Sequence, residues 1–244
     1  MTPRQLPIPR GSRVLEIGSG GRPHARSTVL LDRFLADDSQ REGRRLVRDG
    51  RALVLADGQA LPFRDKAFDY CICMHVLEHV EDPPAMLREM ERVARAGYIE
   101  TPTELHDWLF AVPPYTTIHK WYVNANGGEL ELTLKRAELA EHRFAHLLDH
   151  LRREDAFLER WMEKRPGLFT TQFFWNGEIR WRMSDGSPYE QVTTDEMARN
   201  FVQGRPTRAD TFWGSGSWGL KRWLYSGLVH PAWRKAAKRL LGRS

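Results

Sequence analysis

Four short pieces of the chain carry residues suited to holding a polar ligand. The run Glu16-Ile17-Gly18-Ser19-Gly20-Gly21 follows an apolar stretch, and glycines there let the backbone turn sharply with its amides close to a ligand. Asp32 and Asp57 each end a further apolar run, and Met74-His75 ends a fourth. A carboxylate at Asp32 can accept both hydroxyls of a ribose, and one at Asp57 can accept an exocyclic adenine amine. Proton transfer would fall to another group of residues. Glu100, His106, Tyr115 and His119 lie downstream in polar and aromatic sequence, and histidine can take a hydroxyl proton near neutral pH. His119 is the first choice for a base; a hydrogen bond to loop backbone is the other reading of the same residue.

The elements that must position these groups are short. RVLEIGSG, TVLLDRF, RALVLADG, AFDYCICM and AGYIETP read as five largely apolar strands, the pattern of parallel strands covered on both faces. Open sheets of this kind bind ligands beyond the carboxyl ends of their strands, and the four pieces above converge on that rim. After the fourth strand, Pro83 and Pro84 suit a helix's first turn, and Met86, Leu87, Met90 and Val93 form one apolar stripe that Gly97 is expected to stop. Only about nine residues separate Gly18 from the second strand, with Pro23 among them, so no full helix fits that crossover. Beyond Pro102, LHDWLF suggests a short helix, VPPYTTIHKWYVNANGG an irregular stretch, and ELELTL a strand. A helix or a bent pair fits residues 135–165. TTQFFWNGEIRWRM predicts a hairpin turning at Asn176-Gly177.

A nicotinamide or flavin site would need a third glycine where Pro23 stands, and a helix N-terminus for the pyrophosphate. A ligand without phosphates is favoured, and S-adenosylmethionine is one. The segment from Val14 to Pro102 resembles class I S-adenosylmethionine-dependent methyltransferases of the type 11 group. The similar parts are VLEIGSG, LLDR, LADGQALPFRDKAFDYCICMHVLEHVEDP and MLREMERV. The resemblance implies an α/β, doubly wound, mostly parallel sheet of the seven-stranded Rossmann-like type. The shortened first crossover and a C-terminal antiparallel hairpin are expected in addition. The resemblance also implies that Glu16 steadies the glycine loop and the amino group region of the cofactor, and that Gly18 and Gly20, with Ser19 between them, line the methionine end. Asp32, with Arg33 beside it, would hold the ribose, Asp57 and Gly58 would touch adenine, and Met74 and His75 would border the sulfur. Arg22 or His24, in the shortened connection, would reach the cofactor carboxylate. Glu78 and His79 are expected to order their own segment.

For the methyl acceptor, an oxygen of a saccharide or lipid-linked saccharide comes first and a small metabolite second. RNA, or a non-catalytic binding role on a degenerate fold, is the alternative. Met74-His75-Val76-Leu77 replaces the Asn-Pro-Pro-Tyr of adenine N-methylases. No metal is expected: the nine histidines are scattered, and His142, His146 and His150 share a helical face without an acidic partner. Cys71 and Cys73 are read as unpaired thiols on opposite strand faces, in keeping with a cytoplasmic protein. No secretory leader is read in the N-terminal residues. The methyltransferase domain is expected over 1–185, with an acceptor-side insert at about 103–165 and an extension over 186–244. The formal charge is +5, and after Asp210 the chain has no acidic residue. Its Trp, Lys and Arg there suit an anionic membrane surface, with the tail's own domain or a second subunit as other partners; homo-oligomerisation is left open.

Overall fold

The computed structural model describes residues 6–37, 44–111, 118–135, 145–146, 148–150, 160, 162, 164 and 166–185. Tyr115, His142 and the tail over 186–244 lie outside them. The chain divides into two compact units, one of Met1–His106, Ile118–Arg136 and Trp161–Ser184, the other of Asp107–Thr117, Ala137–Arg160 and Asp185–Ser244. Among the described residues, no helix is long and apolar enough to cross a membrane.

The first unit holds the five expected strands: β1 (Val14–Ile17), β2 (Val29–Asp32), β3 (Ala52–Leu55), β4 (Phe68–Met74) and β5 (Ala94–Pro102). They pair in parallel, and β8 (Thr170–Asn176) closes the edge antiparallel to β5, giving the order β3-β2-β1-β4-β5-β8. Six strands therefore form this sheet among the described residues. The order reverses between β1 and β4, the place where such sheets open a crevice.

Both faces of the sheet are covered, and the period of two sorts the side chains. Val14, Tyr70, Ile72 and Tyr98 join one core with Leu6 and Ile8, while Leu15, Ile17, Cys71 and Cys73 join the other. The two thiols thus share a face, correcting the expectation of opposite faces: residues two apart in a strand point the same way. Both remain free, and burial pushes both well above the ordinary thiol range.

Helix α1 (Pro83–Val93) lies over this second face with Met86, Leu87, Met90 and Val93 buried. Asp82 caps it, its carboxylate accepting from the Ala85 amide at 2.9 Å, and prolines fill the first turn. Gly97 does not end it. The helix passes straight into β5 through an extended Ala94, and Gly97 lies inside that strand. A Cβ there would come within 2.3 Å of the Cys71 carbonyl oxygen and 2.6 Å of the Trp175 indole nitrogen. The glycine serves close packing, not helix termination.

The first crossover contains no helix, as its length requires. The stretch read as irregular supplies a strand, β6 (Trp121–Asn126), which turns through Gly127-Gly128 to pair antiparallel with β7 (Glu129–Leu134). Helix α2 (Glu104–Leu109) matches LHDWLF, and a short α3 (Pro166–Phe169) precedes β8. The chain reverses at Asn176-Gly177, where an antiparallel bridge joins Asn176 to Glu178. Beyond it the strands part: β8 pairs with β5, and β9 (Trp181–Ser184) pairs with β7 in a second, three-stranded sheet.

Candidate functional site

The glycine turn is built by backbone. Gly18 and Ser19 amides donate to the Leu31 carbonyl at 2.8 and 3.1 Å, which folds the turn over the end of β2. Gly18 has φ +70°, and a Cβ on it would lie 2.1 Å from Cγ2 of Val76. The β1 turn and the segment after β4 are therefore in direct contact, and only glycine fits between them. Ser19 is buried, and Gly20 donates to Oδ2 of Asp32 at 3.1 Å.

Asp32 is itself buried, and its second oxygen accepts from the Phe34 amide at 3.1 Å. One strand over, the Ala56 amide donates to the Asp32 carbonyl, bringing Asp57 to the same rim. Asp57 accepts from the backbone and side-chain amides of Gln59 at 2.9 and 3.0 Å, and Arg33 stands 3.5 Å away. Burial disfavours its charge, but Gln59 and Arg33 outweigh that and hold the carboxyl below its ordinary value. Gly58 sits over Ile17 and Met86.

Glu16 points inward. Its carboxylate accepts from the His24 amide at 2.9 Å and from the Ser27 hydroxyl, so it holds the helix-less crossover shut. Burial raises its pKa, opposed by those bonds and by Arg51. Arg51 pins the crossover from outside, donating to the carbonyls of His24 and Ser27. The His24 ring accepts from the Arg26 amide at 3.2 Å, so the ring's Nδ1 caps its own loop; Arg22 is exposed.

At the end of β4, His75 adopts φ +53°, half-exposed, with its ring between two buried acids. Nε2 is 3.4 Å from Oε1 of Glu100 and Nδ1 is 3.6 Å from Oε1 of Glu78. Burial works against charge on the ring, but the two carboxylates outweigh it and raise its pKa to about 9. Met74, beside it, is partly buried.

The residues expected on the acceptor side are more deeply placed than a loop position suggests. Glu100 is fully buried, accepting from the Tyr98 hydroxyl and, at 3.4 Å, from Gln172. His106 lies in the first turn of α2, its amide donating to the Thr103 hydroxyl at 3.2 Å. His119 is buried, its ring edge-on to His79 with centroids 4.8 Å apart. Sequence reasoning missed this grouping of Glu78, His79 and His119. The signal was half present in His-Val-Leu-Glu-His, but the third member lies forty residues on.

Residues 15–99 match a family model described as a methyltransferase domain. The chain is 34% identical over 90 residues to an uncharacterized protein of Methanocaldococcus jannaschii, covering 37% of this chain and 42% of that one. It is 37% identical over 95 residues to an uncharacterized methyltransferase of Mycobacterium leprae, covering 36% and 35%. With a demethylmenaquinone methyltransferase of Corynebacterium efficiens it shares 32% identity over 127 residues, covering 50% and 53%. The chain thus spans about a third to a half of the length of these curated relatives. Among solved structures, it is similar to an S-adenosylmethionine dependent methyltransferase from Mesorhizobium loti. The identity there is 17% and the TM-score 0.32, over 52% of this chain and 58% of that one.

The rim's polar groups fit S-adenosylmethionine. The rim offers two carboxylates to hydroxyl and amine groups, and its first crossover has no helix N-terminus to receive a pyrophosphate.

Proposed function

Residues 15–99 form a class I S-adenosylmethionine-dependent methyltransferase domain, and from that premise we propose that the protein transfers a methyl group to a nucleophile on a small molecule. The observation that carries the reading is the meeting of Asp32, Asp57 and the Gly18–Gly20 turn on one rim, held by the Gly20 amide on Asp32 and by Arg33 beside Asp57. Bound there, S-adenosylmethionine supplies an electrophilic methyl carbon on its sulfonium. Asp32 would hold the ribose hydroxyls and Asp57 the adenine amine. Glu16 would keep the glycine turn in place without touching the ligand. His75 is the exposed ring at the end of β4 and would face the acceptor, while Glu78 and Glu100 fix its orientation.

Within this reading the acceptor atom is an oxygen of a saccharide or lipid-linked saccharide. Its support is the resemblance of the polar-aromatic sequence around Glu100 and His119 to that of enzymes with such acceptors. Calorimetry with S-adenosylhomocysteine, followed by methyl transfer to a panel of saccharides, polyprenyl-linked saccharides, quinols and RNA, tests both levels. No binding of S-adenosylhomocysteine overturns the cofactor reading. Binding without turnover on any acceptor overturns catalysis in favour of a binding role, and turnover on RNA alone overturns the small-molecule class. The basic, Trp-rich sequence after Asp210 supports an anionic membrane surface as a partner. Cosedimentation with phosphatidylglycerol vesicles, lost on deleting those residues, is the expected result; undiminished cosedimentation overturns it.

A further inference from the structure

Glu78 is nearly fully buried, yet among the described residues neither of its carboxylate oxygens has a hydrogen-bond donor. A buried carboxylate left this way is costly unless a cation completes it. His75 offsets it only in part, pairing at 3.6 Å, beyond hydrogen-bond distance, and dividing its charge between Glu78 and Glu100. Among the described residues, the other groups facing Glu78 are ring nitrogens. Nε2 of His79 is 3.7 Å from Oε1 of Glu78, and one ligand atom from each of Glu78, His79 and His119 lies within 4.8 Å of the others.

The second ring nitrogen of His79 decides what the first can do. Nδ1 lies 3.1 Å from the Ile118 carbonyl oxygen, which can only accept. Nδ1 therefore carries a proton, and in the neutral ring Nε2 presents a lone pair toward the carboxylate. Two acceptors facing each other repel unless something positive lies between them. A histidine that donates one nitrogen to a backbone carbonyl while aiming the other inward has the arrangement of a metal ligand with its outer-shell partner in place.

The backbone brings these donors together without help from an ion. The amides of Lys120 and Trp121 both donate to the Glu78 carbonyl, and the Trp121 indole donates to that of Val80. The segment after β4 is thus fastened to the start of β6. Around one ion with bonds of about 2.0–2.1 Å, ligand atoms sit about 3.4 Å apart, so the side chains need to close by at most about 1.4 Å.

We propose that Glu78, His79 and His119 form a binding site for a divalent first-row transition metal of the zinc class. Two imidazoles and one carboxylate suit such an ion better than magnesium or calcium, which prefer all-oxygen shells. Three protein ligands leave a position for water or a ligand oxygen.

The test uses the full chain, stripped with chelator and titrated with Zn²⁺ by calorimetry near neutral pH, with Co²⁺ as a spectroscopic probe. The expected result is one ion per chain and a visible ligand-field band of low-symmetry cobalt. In Glu78→Gln and His119→Ala, affinity should fall by more than the ~10–100-fold that loss of an outer-shell partner costs, and the band should vanish. In His146→Ala both should be unchanged. Absence of uptake and band in the unaltered chain overturns the site, as does equal uptake in both ligand variants. If either variant fails to fold by circular dichroism, His79→Gln takes its place under the same criterion. S-adenosylhomocysteine binding is measured in the same samples, so failure of the metal site and failure of the cofactor site are read separately.

Discussion

The rim and the cluster behind it both contain buried carboxylates, but they are finished differently. At the rim, Glu16 accepts from an amide and a hydroxyl, and Asp32 accepts from two amides. In the cluster, among the described residues, the Glu78 oxygens meet only ring nitrogens beyond hydrogen-bond distance. A carboxylate that accepts from backbone amides holds the turn whether or not a ligand is bound, and still has lone pairs left for a ligand's hydroxyls. One that the fold leaves unsatisfied marks a place where something else belongs.

The sharpest way to break the rim is Gly18→Ala. The added Cβ meets Val76 and is forced to φ +70°, so a loss of about 2–4 kcal/mol is expected from overpacking and backbone strain together. Adding Val76→Ala should recover the overpacking share only. Thermal unfolding of the single and double variants checks this, and full recovery in the double variant would mean that the conformation costs nothing.

Asp32→Ala should weaken S-adenosylhomocysteine binding about 10²-fold, since bonds to a charged group contribute about 1.5–3 kcal/mol each. Calorimetry reads it; unchanged affinity would remove Asp32 from the ribose site.

A smaller effect separates Glu16 by pH. Its folded-state pKa is raised, with burial the largest cause. The folded protein therefore holds the proton more tightly than the unfolded chain, and the stability this contributes is present below the unfolded carboxyl range. It is lost as pH rises through the folded value. Glu16→Gln keeps an acceptor for the His24 amide and cannot ionise, so the unaltered chain should lose stability relative to the variant across that rise. Denaturant unfolding at a series of pH values measures the difference, and parallel curves would contradict the burial argument.

The smallest change is Arg33→Ala. Its pairing with Asp57 is mostly exposed at 3.5 Å, so stability should shift by under about 1 kcal/mol. A larger loss would show that Arg33 holds the rim together.

The strands, the apolar stripe of α1 and the glycine-to-aspartate rim were legible from sequence because each depends on neighbours in the chain. A strand's apolar run, prolines in a helix's first turn and a turn after β1 are local choices. β6 was missed because Pro113, Pro114 and the asparagines near it suggest turns, whereas pairing with β7 overrides that composition. The parting of β8 and β9 was equally hidden, since Asn176-Gly177 specifies a reversal and says nothing of which edge each strand will join.

What the sequence determined alone is the rim: its residues stand at the ends of consecutive parallel strands, and a parallel sheet puts all those ends on one side. Only the tertiary structure decided that His119 sits against His79 and Glu78, because that contact depends on the backbone bonds from Lys120 and Trp121 to the Glu78 carbonyl. No local propensity records such long-range pairing.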